Sequence, residues 1–162
     1  MSVVDVLRDP ANEVVASQAV EWTYIIIHNT GAWEKDPRQV KKYHLSLGWR
    51  DVGYNYLIDY AGRVFTGRPM DIPGAHCSAG NMNRRGIGIA LLGNFEQQKP
   101  TGNQMNSLYA LCAELCTERK IHPDKILGHK EVKGAATACP GRYLDLSAVR
   151  RVVKRVVVKA VV

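Results

Sequence analysis

The chain has 162 residues, of which 46% are hydrophobic and 23% are charged, and these proportions are typical of a globular protein with one buried core. No segment approaches the roughly 20 apolar residues that span a bilayer, so the composition excludes a membrane-spanning protein. The formal net charge of +7 favours anionic partners, which include nucleic acid, acidic membranes and wall polymers. No zinc-finger spacing, helix-turn-helix pattern or aromatic stacking signature accompanies the charge, so we expect no nucleic-acid partner.

The N-terminal half of the sequence predicts three strands and one helix. A continuous apolar, β-branched run at 22–27 indicates a fully buried strand that ends on His28. Apolar residues then recur at helical spacing over 37–47, after a capping aspartate and with a proline at the first helical position. Two apolar runs at 54–60 and 63–67 are separated by an Ala-Gly turn, and together they predict a hairpin.

The second half begins with an irregular segment. Residues 68–85 contain two prolines and two glycines, and a loop of this length is usually functional. A buried strand follows at 86–92, and a capping box predicts a helix from 101 to 120. The segment 125–128 then leads into His129. Because strands and helices alternate with no repeat or linker between them, we expect a single α/β domain.

The last segment, 147–162, predicts a basic amphipathic helix. Its apolar face can pack on the sheet while its basic face meets solvent. Alternatively, the helix acts as a polycation that holds the chain on an anionic wall polymer or membrane. The apolar face comprises Val149, Val152, Val153, Val156, Val157 and Ala160, and the basic face comprises Arg150, Arg151, Lys154, Arg155 and Lys159.

The sequence contains four cysteines, but a chain of this size can stabilise a core without a disulfide scaffold. Cys112 and Cys116 fall on one apolar face of the helix predicted over 101–120, so we expect them to be buried thiols. The first ten residues have neither the basic leader nor the apolar core of a signal peptide. We therefore expect synthesis in the cytoplasm and reduced cysteines.

Two of the five histidines combine a position after a strand with small neighbouring residues. They are His28, followed by Asn-Thr-Gly, and His129, preceded by glycine. Imidazole is the commonest zinc donor, and the thiolate of Cys139 would complete three ligands and leave a fourth position open. Two neutral imidazoles and one thiolate leave a net charge of about +1, which suits hydrolysis. On residue type and spacing alone, other combinations of histidine and cysteine remain open.

Four blocks in a fixed order resemble type-2 N-acetylmuramoyl-L-alanine amidases, a family that includes small phage lysozyme-type amidases and peptidoglycan recognition proteins. The resemblance covers 22–146 and implies one domain over 1–162, with a mixed central sheet flanked by helices. It also implies one zinc ion at the floor of a substrate groove. The blocks are IIIHNT at 25–30, DVGYNY at 51–56, GIGIALLG at 86–93, and the segment from Gly-His to Thr-Ala-Cys-Pro-Gly at 128–141.

The resemblance also implies roles for single residues. His28, His129 and Cys139 are the implied zinc ligands. Tyr54 is the implied active-site tyrosine, although without the resemblance it reads as a core aromatic. Thr137 occupies the position two before the cysteine ligand, where relatives carry lysine or threonine, and it is a second candidate donor to the transition state.

Substrate contact is implied for three other residues. His76 matches a groove histidine, and we extend the expectation to Thr30 and Asn55, which lie within the matched blocks. Two departures from the family pattern concern the neighbours of the metal. Ala90 stands where one branch of the family carries a glutamate base, so that base is absent, and Asn29 stands where many relatives have a second histidine.

A third departure concerns the spacing of the ligands. Nine residues separate His129 from Cys139, two more than in the short form of the motif. We expect a bulged loop that still returns the cysteine to the metal, although the extra residues make the placement of Thr137 harder to predict.

The resemblance predicts hydrolysis of the amide bond between N-acetylmuramic acid and L-alanine in peptidoglycan. We expect a monomeric phage or prophage endolysin that is made in the cytoplasm and acts on the wall after release. Two alternatives stay open: a recognition module that binds muropeptides without cutting them, and a cytoplasmic amidase that recycles soluble muropeptides.

Overall fold

A computed structural model describes residues 3–4 and 20–161. Six strands form one sheet in the order β1-β4-β3-β5-β2-β6, in which β3 and β4 are antiparallel and the other neighbours are parallel. The sheet is therefore mixed, as predicted. The strands are β1 (Val3–Val4), β2 (Tyr24–Asn29), β3 (Tyr56–Ile58), β4 (Val64–Thr66), β5 (Gly86–Leu91) and β6 (Ile126–Gly128).

Four α-helices flank the sheet in the described part of the chain. The predicted first helix begins where Asp36 accepts a hydrogen bond from the backbone N–H of Arg38 at 2.8 Å. The predicted capping box is confirmed, since Thr101 and Gln104 each accept from the other's backbone N–H at 3.0 Å. The helices are α1 (Pro37–Ser46), α2 (Met82–Arg85), α3 (Gly102–Arg119) and α4 (Leu146–Val161), with 3₁₀ turns at Ala79–Asn81, Pro123–Lys125 and His129–Glu131.

The two faces of the sheet carry cores of different size. Alternate side chains of β2 and β5, including Ile25, Ile27 and Ile89, form the main core with α3 and α4. The other face carries two smaller apolar clusters, one around Leu57 and one around Ile26. His28 also lies on this second face, because it is two residues from Ile26 along the strand. The candidate site is therefore backed by a rigid sheet.

The predicted hairpin is present, but its strands are shorter than expected. The backbone N–H groups of Gly67 and Arg68 still donate to the carbonyls of Asn55 and Tyr54 at 2.8 Å, yet these residues lie outside the regular ladder. Asn55 leaves the strand pattern because its side chain bonds to the backbones of neighbouring segments. This irregularity sets the position of Tyr54, the residue before it.

The C-terminal helix packs its apolar face into the main core. Val149 and Val153 are fully buried there, so the packing alternative accounts for this half of the helix. The basic residues Arg151 and Arg155 face solvent. Within the described ranges, no helix combines the length and the apolarity needed to cross a membrane. Cys112 and Cys116 are buried free thiols, as predicted.

Candidate metal centre

The topology of the sheet brings the two predicted histidine ligands together. Strands β2 and β6 are parallel neighbours, with Ile27 paired with Gly128. The residues that follow this pair along the two strands are His28 and His129, so both imidazoles lie at the same edge of the sheet. Their ring centroids are 4.7 Å apart. Parallel pairing is thus the physical reason why histidines 101 positions apart in sequence become neighbours.

The loop after β6 returns Cys139 to these histidines. Its backbone carbonyl accepts a hydrogen bond of 2.7 Å from the N–H of Lys130. Gly141 then packs directly against the backbone of Phe95, where an added Cβ would lie 2.4 Å from the carbonyl carbon. Only glycine fits at this close approach, and its φ of +103° also favours glycine. The longer loop is therefore anchored on both sides of the cysteine.

The three side chains form a cluster with the dimensions of a metal site. One nitrogen or sulfur atom from each of His28, His129 and Cys139 lies within 4.8 Å of the others. The cysteine Sγ is 3.6 Å from His28 Nδ1. Ligand atoms around a tetrahedral zinc ion are about 3.3 to 3.8 Å apart, given bond lengths of about 2.0 to 2.3 Å. The donor set and its spacing fit zinc after a small contraction.

Burial sets the protonation of the cluster in the absence of metal. It lowers the pKa of His28 well below the ordinary value, and the nearby His76 and His129 add to the effect. Burial likewise lowers the pKa of His129. The pKa of the Cys139 thiol is raised to about 11, chiefly by burial. At neutral pH the histidines are ready to donate lone pairs, whereas the cysteine must first lose a proton.

Tyr54 lies beside the cluster and is held there by its neighbours. Its ring is 5.1 Å from the ring of His28 and 5.5 Å from that of His44, measured between centroids. His44 also accepts a hydrogen bond of 2.9 Å from the backbone N–H of Gly53, which fixes the preceding residue. Burial raises the pKa of the Tyr54 hydroxyl above its ordinary value. The hydroxyl therefore stays protonated at neutral pH and can donate a hydrogen bond.

Two of the three residues expected to contact substrate have hydrogen-bond partners within the protein. His76 uses Nδ1 toward His28 at 2.8 Å and Nε2 toward the carbonyl of Gly86 at 2.9 Å. Asn55 is 1% exposed. Its amide accepts from the N–H of Gly88 and donates to the carbonyl of Arg68. Both side chains therefore support the protein's own structure, and substrate contact by either residue stays a prediction.

The two threonines occupy different surroundings. Thr30 follows β2, where its hydroxyl accepts from the N–H of Gly93 at 3.0 Å and donates to Glu34 at 2.7 Å. Thr137 is exposed, and its hydroxyl accepts from the backbone N–H of Cys139 at 3.1 Å. It therefore helps to shape the turn that carries the cysteine. Substrate contact by Thr30 and a catalytic donor role for Thr137 stay predictions.

The two residues that depart from the family pattern, Ala90 and Asn29, also have defined positions in the structure. Ala90 pairs with His28 in the β2–β5 register and is fully buried, so it lies next to the metal cluster without offering a proton acceptor. Asn29 faces Cys139 through its backbone carbonyl, 3.9 Å from Sγ. That contact does not depend on the side chain at position 29.

Two residues that support the site were not predicted from the sequence. A histidine on a helix face, such as His44, is usually a packing residue, yet His44 holds the loop before Tyr54. The guanidinium of Arg68 donates to the carbonyls of Asp51, Val52 and Pro73 and so ties three turns together. The sequence shows only an arginine at the start of an irregular segment, because its hydrogen-bond acceptors are backbone atoms.

Comparison with known proteins agrees with this geometry. The sequence model of the family described as N-acetylmuramoyl-L-alanine amidase matches residues 18–142. Peptidoglycan-recognition protein SC2 of Drosophila melanogaster is 36% identical over 129 residues, which are 74% of this chain and 68% of the relative.

Two solved structures show the same fold. The amidase LysC from Clostridium intestinale URNW has a TM-score of 0.82 and 29% identity, covering 93% of this chain and 96% of that one. Peptidoglycan recognition proteins LCa and LCx, solved with bound tracheal cytotoxin, match with a TM-score of 0.73 and 30% identity, over 89% of this chain and 92% of that one. The chain therefore belongs to the type-2 N-acetylmuramoyl-L-alanine amidase family.

Proposed function

We propose that this protein is a zinc-dependent amidase that hydrolyses the bond between N-acetylmuramic acid and L-alanine in peptidoglycan. The observation that carries the proposal is the complete donor set of His28, His129 and Cys139 beside the partly buried Tyr54. A module that only recognises peptidoglycan has no need for a zinc-type donor set with one open coordination position. The family match supports the amidase reaction, and the relatives with bound tracheal cytotoxin support a muropeptide ligand.

The proposed mechanism assigns separate tasks to the residues of the site. One zinc ion per chain, held by His28, His129 and Cys139, would supply a Lewis acid that polarises the amide carbonyl and acidifies water. Tyr54, which stays protonated because it is buried, donates a hydrogen bond to the oxygen on which negative charge develops. Thr137 is the second candidate donor. Ala90 can accept no proton, so the water is not activated by a side chain at that position.

We further propose that the protein acts as a phage or prophage endolysin. This is supported by the match to the endolysin LysCS from Clostridium intestinale URNW, with a TM-score of 0.81 and 93% of each chain covered. An endolysin is made in the cytoplasm and reaches its substrate after release, and we propose the same for this chain as a monomer. The single described domain already contains the complete candidate site.

A second contact with the wall is proposed for the basic face of α4. Lys154 and Arg150 are paired with Asp124 and Glu131 at 2.6 and 2.9 Å, while Arg151 and Arg155 are exposed. Val149 and Val153 of the apolar face are packed in the core, whereas Val156 is 45% exposed, so the surface that the helix offers to a polymer is mainly its charge. Reversing both exposed arginines to glutamate should weaken sedimentation with anionic wall at low salt, whereas reversing the exposed Lys42 and Lys99 should not.

The experiment that tests the main proposal is digestion of purified wall. Mass spectrometry should find new free amino groups on alanine and no new reducing sugar ends. Added chelator should abolish the reaction, and zinc should restore it. Cys139→Ala should be inactive while keeping the fold. Wall that is bound without release of peptide would overturn the amidase proposal and favour the recognition module, and activity restricted to soluble fragments would favour a recycling amidase.

A further inference from the structure

His76 is the third imidazole of the site, and its hydrogen bonds determine where protons lie. Its Nε2 is 2.9 Å from the carbonyl oxygen of Gly86. A carbonyl only accepts hydrogen bonds, so Nε2 of a neutral His76 carries the proton and Nδ1 carries a lone pair. That lone pair faces Nε2 of His28 at 2.8 Å. The donor in this second bond must therefore be His28.

The bond with His76 also determines which nitrogen of His28 carries the lone pair. If Nε2 of His28 carries its proton, Nδ1 of the neutral ring is the atom with the free lone pair. Nδ1 is also the atom that lies 3.6 Å from the Cys139 sulfur. The carbonyl of Gly86, two strand residues before Gly88, thus selects through His76 the tautomer of His28 that can bind a metal between His28 and Cys139.

The ring of His76 is held firmly enough to impose this choice. It lies flat on Gly88, where an added Cβ would come within 2.6 to 2.9 Å of three ring atoms. The side-chain carbonyl of Asn83 accepts from the backbone N–H groups of His76 and Cys77 at 2.7 and 2.8 Å. The ring is also almost perpendicular to that of His28, at 86°. Gly88 beneath the ring and Asn83 at the backbone of His76 therefore fix the position and the orientation of the His76 ring.

We infer that His76 is a positioning residue for the metal ligand His28, acting through the bond between His76 Nδ1 and His28 Nε2. This rests on the proposed zinc site. Partners that orient a ligating histidine usually contribute about 10- to 100-fold to metal affinity. The inference also explains why an irregular segment rich in proline and glycine carries a histidine, since the segment delivers the ring to the floor of the site.

The first test measures zinc affinity by competition with a chromophoric chelator. His76→Phe keeps an aromatic ring but loses both nitrogens, and it should weaken zinc binding by about 10- to 100-fold. His76→Asn offers an acceptor near the place of Nδ1 and should recover most of the affinity. His122→Phe, at an exposed histidine, is the matched control and should bind like wild type. Wild-type affinity in His76→Phe would overturn the inference.

A second variant reaches the same ring without removing it. Gly88→Ala places a methyl group against the ring of His76 and should also weaken zinc binding, although every ligand and His76 itself are present. Wild-type affinity in Gly88→Ala would count against the inference.

The second test reads the tautomers directly and needs no metal. Long-range nitrogen–proton NMR spectra of the metal-free wild-type protein at neutral pH should show His28 and His76 neutral, each with its proton on Nε2. A proton on Nδ1 of either ring would refute the inference. Since this measurement does not use zinc, it separates the inference from the proposed function, which fails if the wild-type protein binds no zinc at all.

Discussion

Zinc binding to this chain should release one proton, and its affinity should therefore rise steeply with pH. The thiol of Cys139 has a pKa of about 11 in the metal-free protein and must ionise before it can ligate zinc. At pH 7 that ionisation costs about 5 kcal/mol, and at pH 9 about 3 kcal/mol, since one unit corresponds to about 1.4 kcal/mol. Apparent zinc affinity should thus increase about tenfold per pH unit, or about 100-fold from pH 7 to 9.

The histidines add nothing to this slope above pH 7. Burial lowers the pKa of both His28 and His129 below the ordinary value of 6.5, so neither ring has a proton to release. The assay is chelator competition at several pH values, with the known pH dependence of the chelator subtracted. Calorimetry in buffers of different ionisation enthalpy counts the released proton independently.

The matched control is Cys139→Asp, whose carboxylate is already ionised throughout the range. Its zinc affinity should be almost independent of pH between 7 and 9. A wild-type affinity that is also flat would refute the reasoning, because it would mean that the metal-free cysteine is already a thiolate. A slope of two would mean that a second group, such as the nearby buried Cys77, ionises with it.

Three more predictions concern the tyrosine, the buried histidines and the core. Tyr54→Phe should lower kcat about 10²- to 10³-fold with zinc affinity unchanged, measured by release of wall peptide and by chelator competition; unchanged turnover would remove the donor role. In the metal-free protein His76 alone should account for a loss of about 3 kcal/mol in the unfolding free energy in urea as the pH falls from about 6.5 to 4, because burial lowers its pKa to about 4 and the unfolded chain takes up the proton first. In His76→Phe the loss should be smaller, and an equal loss would contradict this assignment. Ile89→Ala, in the main core, should cost about 2 to 5 kcal/mol, whereas Val158→Ala, 63% exposed, should cost under about 0.5 kcal/mol.

Much of the fold follows from patterns that are local in sequence. The apolar runs before His28 and at 86–92 are strands because only a doubly covered sheet buries such runs completely. The position of His28 and His129 after strands singled them out among the five histidines, but the parallel pairing that brings them together is visible only in the sheet. Cys139 could not be placed in that way, since a nine-residue loop has no periodicity, and its assignment depended on the family motif.

The parts that could not be predicted depend on contacts between side chains and distant backbone atoms. His76, Asn55 and Arg68 all bond to carbonyl or amide groups of other segments, and no local pattern encodes such partners. For this reason the structural roles of His76 and Asn55 could not be predicted from the sequence, whereas their contact with substrate stays a prediction. The type of a residue shows which hydrogen bonds its side chain can form, whereas only the fold shows which of those bonds are already made within the protein.

The distances along the chain between the three ligands have a consequence for the cell that makes this protein. His28 comes from the second strand, and Cys139 lies 111 positions later, beyond every other strand of the sheet. No nascent chain or early fragment that lacks the loop after β6 can assemble the proposed site. Amidase activity would therefore appear only once this loop has been made, so a product that ends before it would not cut peptidoglycan.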